Sequence, residues 1–253
     1  MKYYYIHGIS YWVGNNRTEN IKLHADKIKC LDLPEGASNL CIVSLMCDDT
    51  SSIDKNLISL INNLSDESLE VDYLINFNSG GTVQSMQHCY KYLKQNNITS
   101  NYFGCWEDDF CFLRPTFIQD IKYYLDNYLF VGSMWEDEWF NQDPNEFKKN
   151  GKKKFLHGID ESVSAHGQEK EKNNYCWCED PYVMKFENLE KIENLIGEFT
   201  LAPTNERYQH GKHGIALGEV GFPTRLKLAG GDFFGLMFDE YYTFFNTESL
   251  GGK

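Results

Sequence analysis

The sequence predicts a single-domain α/β fold in which a mainly parallel central sheet is flanked by helices. Short apolar stretches alternate with amphipathic, helix-like stretches between residues 39 and 134. This alternation is typical of a parallel sheet that is covered on both faces. The 253 residues are 42% hydrophobic and 15% aromatic, which suffices for a sizeable core and excludes wholesale disorder.

The elements of this sheet follow one another in a regular order. Continuous apolar runs mark the strands, and apolar residues spaced three and four apart mark the helices. The strands are predicted at 39–47, 70–77, 101–106 and 128–134, and the helices at 53–64, 82–95 and 115–127. Because parallel strands present their carboxyl ends at one edge of the sheet, ligands are expected beyond that edge.

The flanks of this regular region are less clear. Residues 1–38 are interpreted as an N-terminal extension or an edge strand. The polar stretch at about 140–175 is predicted to be a flexible loop. Residues 182–197 are predicted to form a short strand and a helix, and residues 218–230 a further helical segment.

The charge balance limits the partners of the chain. It has 24 Lys and Arg against 37 Asp and Glu, a formal net charge of −13, so it is expected to bind no nucleic acid. No stretch approaches the roughly 18 apolar residues that a membrane span requires. The start of the chain lacks the pattern of a signal peptide. The eight cysteines are therefore expected to be reduced, in a cytoplasmic protein.

Three consecutive carboxylates, Glu107, Asp108 and Asp109, follow the strand predicted at 101–106. At the crowded end of a buried strand such charges are costly unless a cation or hydrogen-bond donors compensate them. A divalent metal with oxygen ligands, Mn²⁺ or Mg²⁺, would provide that compensation. The alternative is an acidic start to the helix that opens at Pro115.

A second polar segment follows the strand at 70–77. It contains Asn76, Asn78, Gly80 and Gly81 and leads into a predicted helix. Glycines let the backbone approach a ligand, and a helix N-terminus offers N–H groups to phosphate or hydroxyl oxygens. An ordinary tight turn explains the same residues equally well.

A third segment, GEVGFPTRL at 218–226, contains a lone acid, Glu219. A surface ion pair with Arg225 would be one ordinary explanation of this residue. Glu179 and Asp180 form a further carboxylate pair in the second half of the chain.

Taken together, these segments resemble the nucleotide-sugar glycosyltransferases of the GT-A fold, especially the inverting, family-two-type group. NFNSGGTVQSMQHCYKYL is similar to the group's strand-to-helix segment, and YFGCWEDDF to its strand with a metal-binding Asp-x-Asp motif. GEVGFPTRLKLAGG resembles the segment with the catalytic base, since Glu219, Phe222 and Arg225 have its spacing. The chain departs from the group in having Glu107 at the first acidic position, Glu219 rather than Asp as the base, and Gly218 before it.

The resemblance implies a Rossmann-like, metal-dependent hexosyl- or pentosyltransferase that moves a sugar from a nucleoside diphosphate sugar to a glycan or other hydroxyl acceptor. Residues 39–134 would bind the donor and residues 135–253 the acceptor. The resemblance implies Glu219 as the catalytic base, with Asp180 as its rival. It implies Glu107 and Asp109 as metal ligands, with His213 as a third, although a loop histidine bonded to backbone or solvent is the ordinary alternative. The implied donor-binding residues are Asp48, Asp49, Asn76, Asn78, Gly80, Gly81 and Asp108.

Two other functions remain open at this stage. One is a retaining glycosyltransferase or a nucleotidyltransferase on a similar sheet. The other is a carbohydrate- or nucleotide-binding module without catalysis, for which the altered acidic motif and Gly218 leave room.

Overall fold

In the part of the chain that the structure describes, the fold is a mixed seven-stranded sheet with helices on both faces. The computed structural model describes residues 3–15, 17–47, 49–77, 81–109, 114–134, 178–200 and 221–237. Within these ranges the strands are β1 (Tyr3–Trp12), β2 (Ala37–Cys47), β3 (Leu69–Phe77), β4 (Ser100–Glu107), β5 (Val131–Met134), β6 (Glu179–Lys185) and β7 (Phe234–Met237). The helices are α1 (Thr18–Lys29), α2 (Lys55–Asn62), α3 (Gly81–Gln95), α4 (Phe117–Asp120), α5 (Lys122–Asn127), α6 (Phe186–Ile196) and α7 (Gly221–Leu228).

The strand order in the sheet is β3-β2-β1-β4-β6-β5-β7. The first four strands of this order are parallel to one another, and β5 is parallel to β7. The exception is β6, which runs antiparallel to both β4 and β5. The prediction of a mainly parallel sheet is therefore confirmed in part, because one strand reverses the direction.

The strands and helices predicted between residues 39 and 134 are present with small differences at their ends. The one change in kind lies at 115–127, where a single predicted helix is divided into α4 and α5. The strand and helix predicted at 182–197 correspond to β6 and α6, and helix α7 lies within the segment predicted at 218–230. The predicted loop at about 140–175 lies outside the described residues.

The N-terminal segment differs from the expectation of an extension or edge strand. Residues 3–12 form β1, which has β2 on one side and β4 on the other. This strand therefore lies in the interior of the sheet. Its alternating side chains enter both cores: Tyr5 and Ile9 pack on one face and Ile6 on the other.

The two faces of the sheet bury separate apolar clusters. One cluster packs the sheet against α1, α2, α4 and α5, and the other packs it against α3, α6 and α7. No described helix is both long enough and apolar enough to cross a membrane. The six described cysteines form no disulfide with one another.

A chain of two hydrogen bonds that begins at His7 connects β1 with β2 and with the end of α1. The side chain of His7 is completely buried, and its Nε2 donates to Oδ1 of Asn39 at 3.2 Å. Asn39 in turn donates to the carbonyl of Ile28 at the end of α1. Burial lowers the pKa of His7 to about 3, so the folded protein holds this imidazole neutral.

We expect acid to destabilise the fold through this histidine. Its pKa rises from about 3 in the folded chain to about 6.5 in the unfolded chain. The unfolded chain therefore binds the additional proton as the pH falls below 6.5, and stability is lost on that side. When the pH falls from 7 to 5, the unfolding free energy of both proteins should decrease. The decrease is expected to be about 2 kcal/mol smaller in His7→Gln than in the unmodified chain.

Urea unfolding at the two pH values measures this difference. Two other histidines, the buried His24 and the half-buried His88, have pKa values lowered to about 4, mainly by burial, and both are retained in the variant. Equal losses of unfolding free energy in the two proteins would contradict the assignment to His7.

Candidate functional site

The candidate site lies at the carboxyl edge of the parallel strands, where the strand order reverses. Strands β2 and β3 lie on one side of β1, and β4 lies on the other. In open α/β sheets, ligands bind outside the carboxyl ends of the strands at such a switch point. The chain segments that leave β1 and β4 meet here, and the acidic edge, defined as Glu107, Asp108 and Asp109, belongs to the second of them.

The backbone of the acidic edge is held by β1 and α1. The N–H of Asp108 donates to the carbonyl of Ser10 at 3.1 Å, which continues the pairing of Ser10 with Glu107. The carbonyl of Asp108 accepts a hydrogen bond from Nε2 of His24 at 3.2 Å. These contacts fix the position from which the three carboxylates project.

The three carboxylates of the acidic edge have different partners. Glu107 accepts a hydrogen bond from Oγ1 of Thr82, in the first turn of α3, at 3.0 Å. Asp108 accepts a long one, 3.5 Å, from Nδ2 of Asn20 in α1. Helices α3 and α1 cover opposite faces of the sheet, so Glu107 and Asp108 diverge because consecutive residues at a strand end alternate in direction.

Asp108 is the most deeply buried of the three, with only 4% of its surface exposed. Desolvation, followed by the charge of Asp109, raises the pKa of its carboxyl to about 6. The same carboxylate raises the pKa of Tyr11, to about 12, although burial is the larger cause. The side chain of Asp108 thus lies inside the protein, between β1 and α1.

Asp109 forms an ion pair with Arg17, which immediately precedes α1. The Nη1 of Arg17 lies 3.0 Å from Oδ2 of Asp109, and the two side chains are 25% and 27% exposed. The other carboxylate oxygen, Oδ1, is buried and has no hydrogen-bond partner among the described residues. Arg17 therefore pairs with one oxygen of this carboxylate, while the other oxygen has no hydrogen-bond donor among the described residues.

The acidic edge offers oxygen atoms of the kind that a hard divalent cation binds. Mg²⁺ and Mn²⁺ prefer oxygen ligands and are commonly held by one or two carboxylates together with substrate phosphates. Glu107 and Asp109 offer two carboxylates, and Oδ1 of Asp109 lacks the donor that a buried oxygen needs. The described part of the chain contains no group of three His, Cys, Asp or Glu arranged to hold a metal ion. Substrate oxygens would therefore have to complete the ligand set.

The residues predicted to bind the donor are only partly described. Gly81 begins α3 with a φ of +58°, a left-handed conformation that favours glycine. Asn76 donates to Oγ of Ser44 at 2.6 Å, and Asp49 caps a short 3-10 turn by accepting from the N–H of Ser51. The predicted positions Asp48, Asn78 and Gly80 lie outside the described residues.

Asp49 and Asn76 lie on the same edge as the acidic residues but at a distance. Asp49 follows β2 and Asn76 is near the end of β3, two and three strands away from β4. At the usual strand spacing these separations are about 10 and 14 Å. The structure therefore brings Glu107, Asp108 and Asp109 together with the start of α3, and leaves Asp49 and Asn76 farther along the edge.

Of the residues predicted to act on the acceptor, only the backbone of Asp180 is described. It belongs to β6, whose pairing with β4 reaches Tyr182 opposite Cys105. The two strands are antiparallel, so β6 begins at the edge where β4 ends. Glu219 and His213 lie outside the described residues.

Arg225 is a structural residue and not a surface ion-pair partner. It is 1% exposed and donates to the carbonyls of Ile196, Glu198 and Phe199 at 2.8, 2.5 and 2.8 Å. These hydrogen bonds give donors to backbone carbonyls at the end of α6 and just after it. Burial lowers the pKa of the guanidinium to about 9.

A cavity of about 410 Å³ lies at the opposite, amino-terminal edge of the sheet, between Tyr5 and helix α5. Its lysines, Lys122 and Lys185, are each paired with one oxygen of Asp126, at 2.8 and 2.7 Å. The charges of the cavity are therefore largely matched within the protein, and the carboxylates of the acidic edge are remote from it.

Sequence analysis missed Arg17 and Asn20 as members of the site. Both follow β1, which was not recognised as an interior strand, so nothing indicated that they would lie beside Asp108 and Asp109. The available signal was the run YYYIHGISYW, which is rich in aromatic and β-branched residues that favour strands.

No protein-family model and no curated protein matches the sequence. Among solved structures, the chain is similar to mouse xyloside xylosyltransferase 1 in its apo form. The TM-score is 0.45 and the identity is 8%, with 99% of this chain and 94% of that chain covered. A likeness this weak carries no weight for the chemistry of the site.

We expect Arg225→Met to destabilise the protein by roughly 3 kcal/mol, because three carbonyls lose a charged donor. Lys227→Met is the matched control in the same helix, since Lys227 forms an exposed ion pair with Asp232. Such pairs contribute at most about 1 kcal/mol. Urea unfolding compares the two variants, and equal effects would contradict the structural role of Arg225.

Proposed function

We propose that the chain is a metal-dependent glycosyltransferase that moves a sugar from a nucleoside diphosphate sugar to an acceptor hydroxyl, with inversion at the anomeric carbon. The observation that carries this proposal is the acidic edge at the switch point of the sheet. There, Asp109 has one oxygen paired with Arg17 and one buried oxygen without a partner among the described residues. A site that combines a carboxylate oxygen lacking a hydrogen-bond donor with a guanidinium suits a ligand that combines a cation with phosphates.

Each residue of the edge has a role in this proposal. Asp109 and Glu107 would hold Mn²⁺ or Mg²⁺, and Arg17 would contact the diphosphate, for which its planar donor set is suited. Asp108, held between β1 and α1, keeps its neighbours in position. When bound, the metal would act as a Lewis acid that stabilises the charge of the departing diphosphate.

The acceptor side rests on the resemblance described above. Glu219 would take the proton from the acceptor hydroxyl as the oxygen attacks the anomeric carbon from the face opposite the diphosphate. Attack from the opposite face gives inversion. Asp180 is the rival base, and the start of β6 at the same edge as Glu107 gives that alternative a structural basis.

We expect Asp109→Asn to weaken the binding of a nucleoside diphosphate in the presence of Mn²⁺ by tenfold or more, about 1.4 kcal/mol. The amide preserves the shape of the side chain but removes the charge that holds the cation. Titration calorimetry with UDP, GDP, ADP and CDP, each with and without Mn²⁺, measures the affinities.

Asp26→Asn is the control for this experiment, because it removes a carboxylate that is exposed on α1. It should bind the nucleotides as the unmodified chain does. If Asp109→Asn binds the nucleoside diphosphates with unchanged affinity, whether or not Mn²⁺ is present, the metal assignment is wrong. That result would also favour a binding module without catalysis.

We expect Glu219→Gln to retain donor binding and to lose most transfer, by a factor of 10² to 10⁴, which is the usual contribution of a general base. Thermal-shift screening of nucleotide sugars with Mn²⁺ identifies the donor, since only a ligand that binds the folded protein stabilises it. The anomeric configuration of the product is then determined by NMR.

The comparison with Asp180→Asn distinguishes the two candidate bases. Near-normal turnover in Glu219→Gln together with loss in Asp180→Asn would assign the base to Asp180. A retained configuration would indicate a retaining enzyme. Release of pyrophosphate or of a new sugar nucleotide, in place of a nucleoside diphosphate, would indicate nucleotidyl transfer.

A further inference from the structure

We propose that Arg17 masks Asp109 in the ligand-free protein, so that the site takes up the cation and the diphosphate together. This inference rests on the proposed function. It adds that the binding of the cation and the binding of the diphosphate are coupled through the ion pair between Arg17 and Asp109. Arg17 is the residue that changes its partner.

The first step of the argument is the position of Arg17. It is the residue immediately before α1, but its side chain forms no capping hydrogen bond with that helix. The guanidinium instead reaches Asp109, which is 92 positions away in the chain. The ion pair therefore joins the two loops of the switch point, and neither partner is needed to complete a helix end.

The second step concerns the charge on Asp109. Arg17 contacts Oδ2 at 3.0 Å, whereas Oδ1 is buried without a partner among the described residues. A cation at Oδ1 would share one carboxylate with the guanidinium, and the two positive charges would repel each other. Arg17 therefore lowers the affinity of Asp109 for a metal ion while the ion pair persists.

The third step is the exchange itself. Arginine binds phosphate in a bidentate manner with the same donor set that it uses for carboxylates. With a side chain that is 25% exposed, Arg17 can leave Asp109 for a diphosphate at the edge without unfolding the core. Once the guanidinium pairs with phosphate, its charge is neutralised and Asp109 becomes available to the cation.

The consequence is reciprocal coupling. If the diphosphate raises the affinity for the cation by releasing Asp109, the cation must raise the affinity for the diphosphate by the same factor. A metal ion or a diphosphate alone would bind weakly, and only the complete ligand would occupy both charged groups. A site of this kind discriminates against free divalent cations.

The test uses Mn²⁺ alone and inorganic pyrophosphate alone, so that neither the nucleotide nor the sugar has to be known. In Arg17→Met we expect Mn²⁺ to bind about three- to tenfold tighter than in the unmodified chain, since an ion pair of this exposure is lost. Pyrophosphate is expected to bind at least tenfold more weakly. Mn²⁺ is followed by electron paramagnetic resonance and pyrophosphate by calorimetry.

Opposite shifts in the two affinities are the result that a merely structural role would not produce. A structural arginine would weaken both ligands together, and that outcome, or unchanged Mn²⁺ affinity, overturns the proposal. Arg17→Gln is the second variant, because its amide can still donate to Asp109 and so preserves the contact between the loops. It should show the same opposite shifts, and shifts in one direction would again overturn the proposal.

Two controls separate this inference from the proposed function. Lys29→Met removes a different ion pair of α1, with Asp66 at 2.6 Å, and should leave both affinities unchanged. Asp109→Asn should lose Mn²⁺ binding. If Asp109→Asn loses Mn²⁺ binding but Arg17→Met binds Mn²⁺ no more tightly than the unmodified chain, the masking by Arg17 is contradicted and the metal site is retained. If Asp109→Asn binds Mn²⁺ normally, the proposed site itself fails.

Discussion

The position of β1 within the sheet is the constraint on which the site depends. This strand is hydrogen-bonded to β2 and to β4, so the loops that leave β1 and β4 emerge side by side. A shift of one residue in either register would turn every side chain of the strand to the other face. It would also separate Ser10 from Glu107, and with them the two loops that carry Arg17 and Asp109. The buried pairing of His7 with Asn39 is one of the contacts that fixes this register.

The alternation of side-chain direction at the end of β4 gives the three neighbouring carboxylates different surroundings. Glu107 still belongs to the strand and turns toward α3, whereas Asp108 turns toward α1. Asp109 is beyond the strand and is available to Arg17. The repulsion that the sequence implies is thus relieved by three different environments: a hydroxyl, a buried site with a raised pKa, and a guanidinium.

Most of the sheet between residues 39 and 134 could be predicted, because buried parallel strands are continuous apolar runs and the helices between them have one apolar face. Strand β1 follows these rules less well, because His7, Gly8 and Ser10 interrupt its apolar residues. Its aromatic and β-branched residues favour a strand, but its place in the interior of the sheet is determined by tertiary packing. The reversed direction of β6 was equally inaccessible, since a strand's own residues do not encode the direction of its neighbour.

The site was predictable to a similar degree. The location of the acidic residues at the carboxyl edge follows from the order of elements and is confirmed by the sheet. Their partners Thr82, Asn20 and Arg17 are determined by long-range register and could not be derived from spacing. Arg225 belongs to the spacing pattern of the resemblance, and its hydrogen bonds to three backbone carbonyls could not be derived from that spacing either.

The contacts around Phe199 have a consequence for the connection between Thr200 and Gly221. Gln87 of α3 accepts hydrogen bonds from the N–H groups of Phe199 and Thr200, and Arg225 binds the carbonyl of Phe199. Residues 199 and 200 are therefore fixed to helix α3 on one side and to helix α7 on the other. Because the cost of closing a connection grows only with the logarithm of its length, a longer connection between Thr200 and Gly221 would cost the folded chain little as long as these contacts persist.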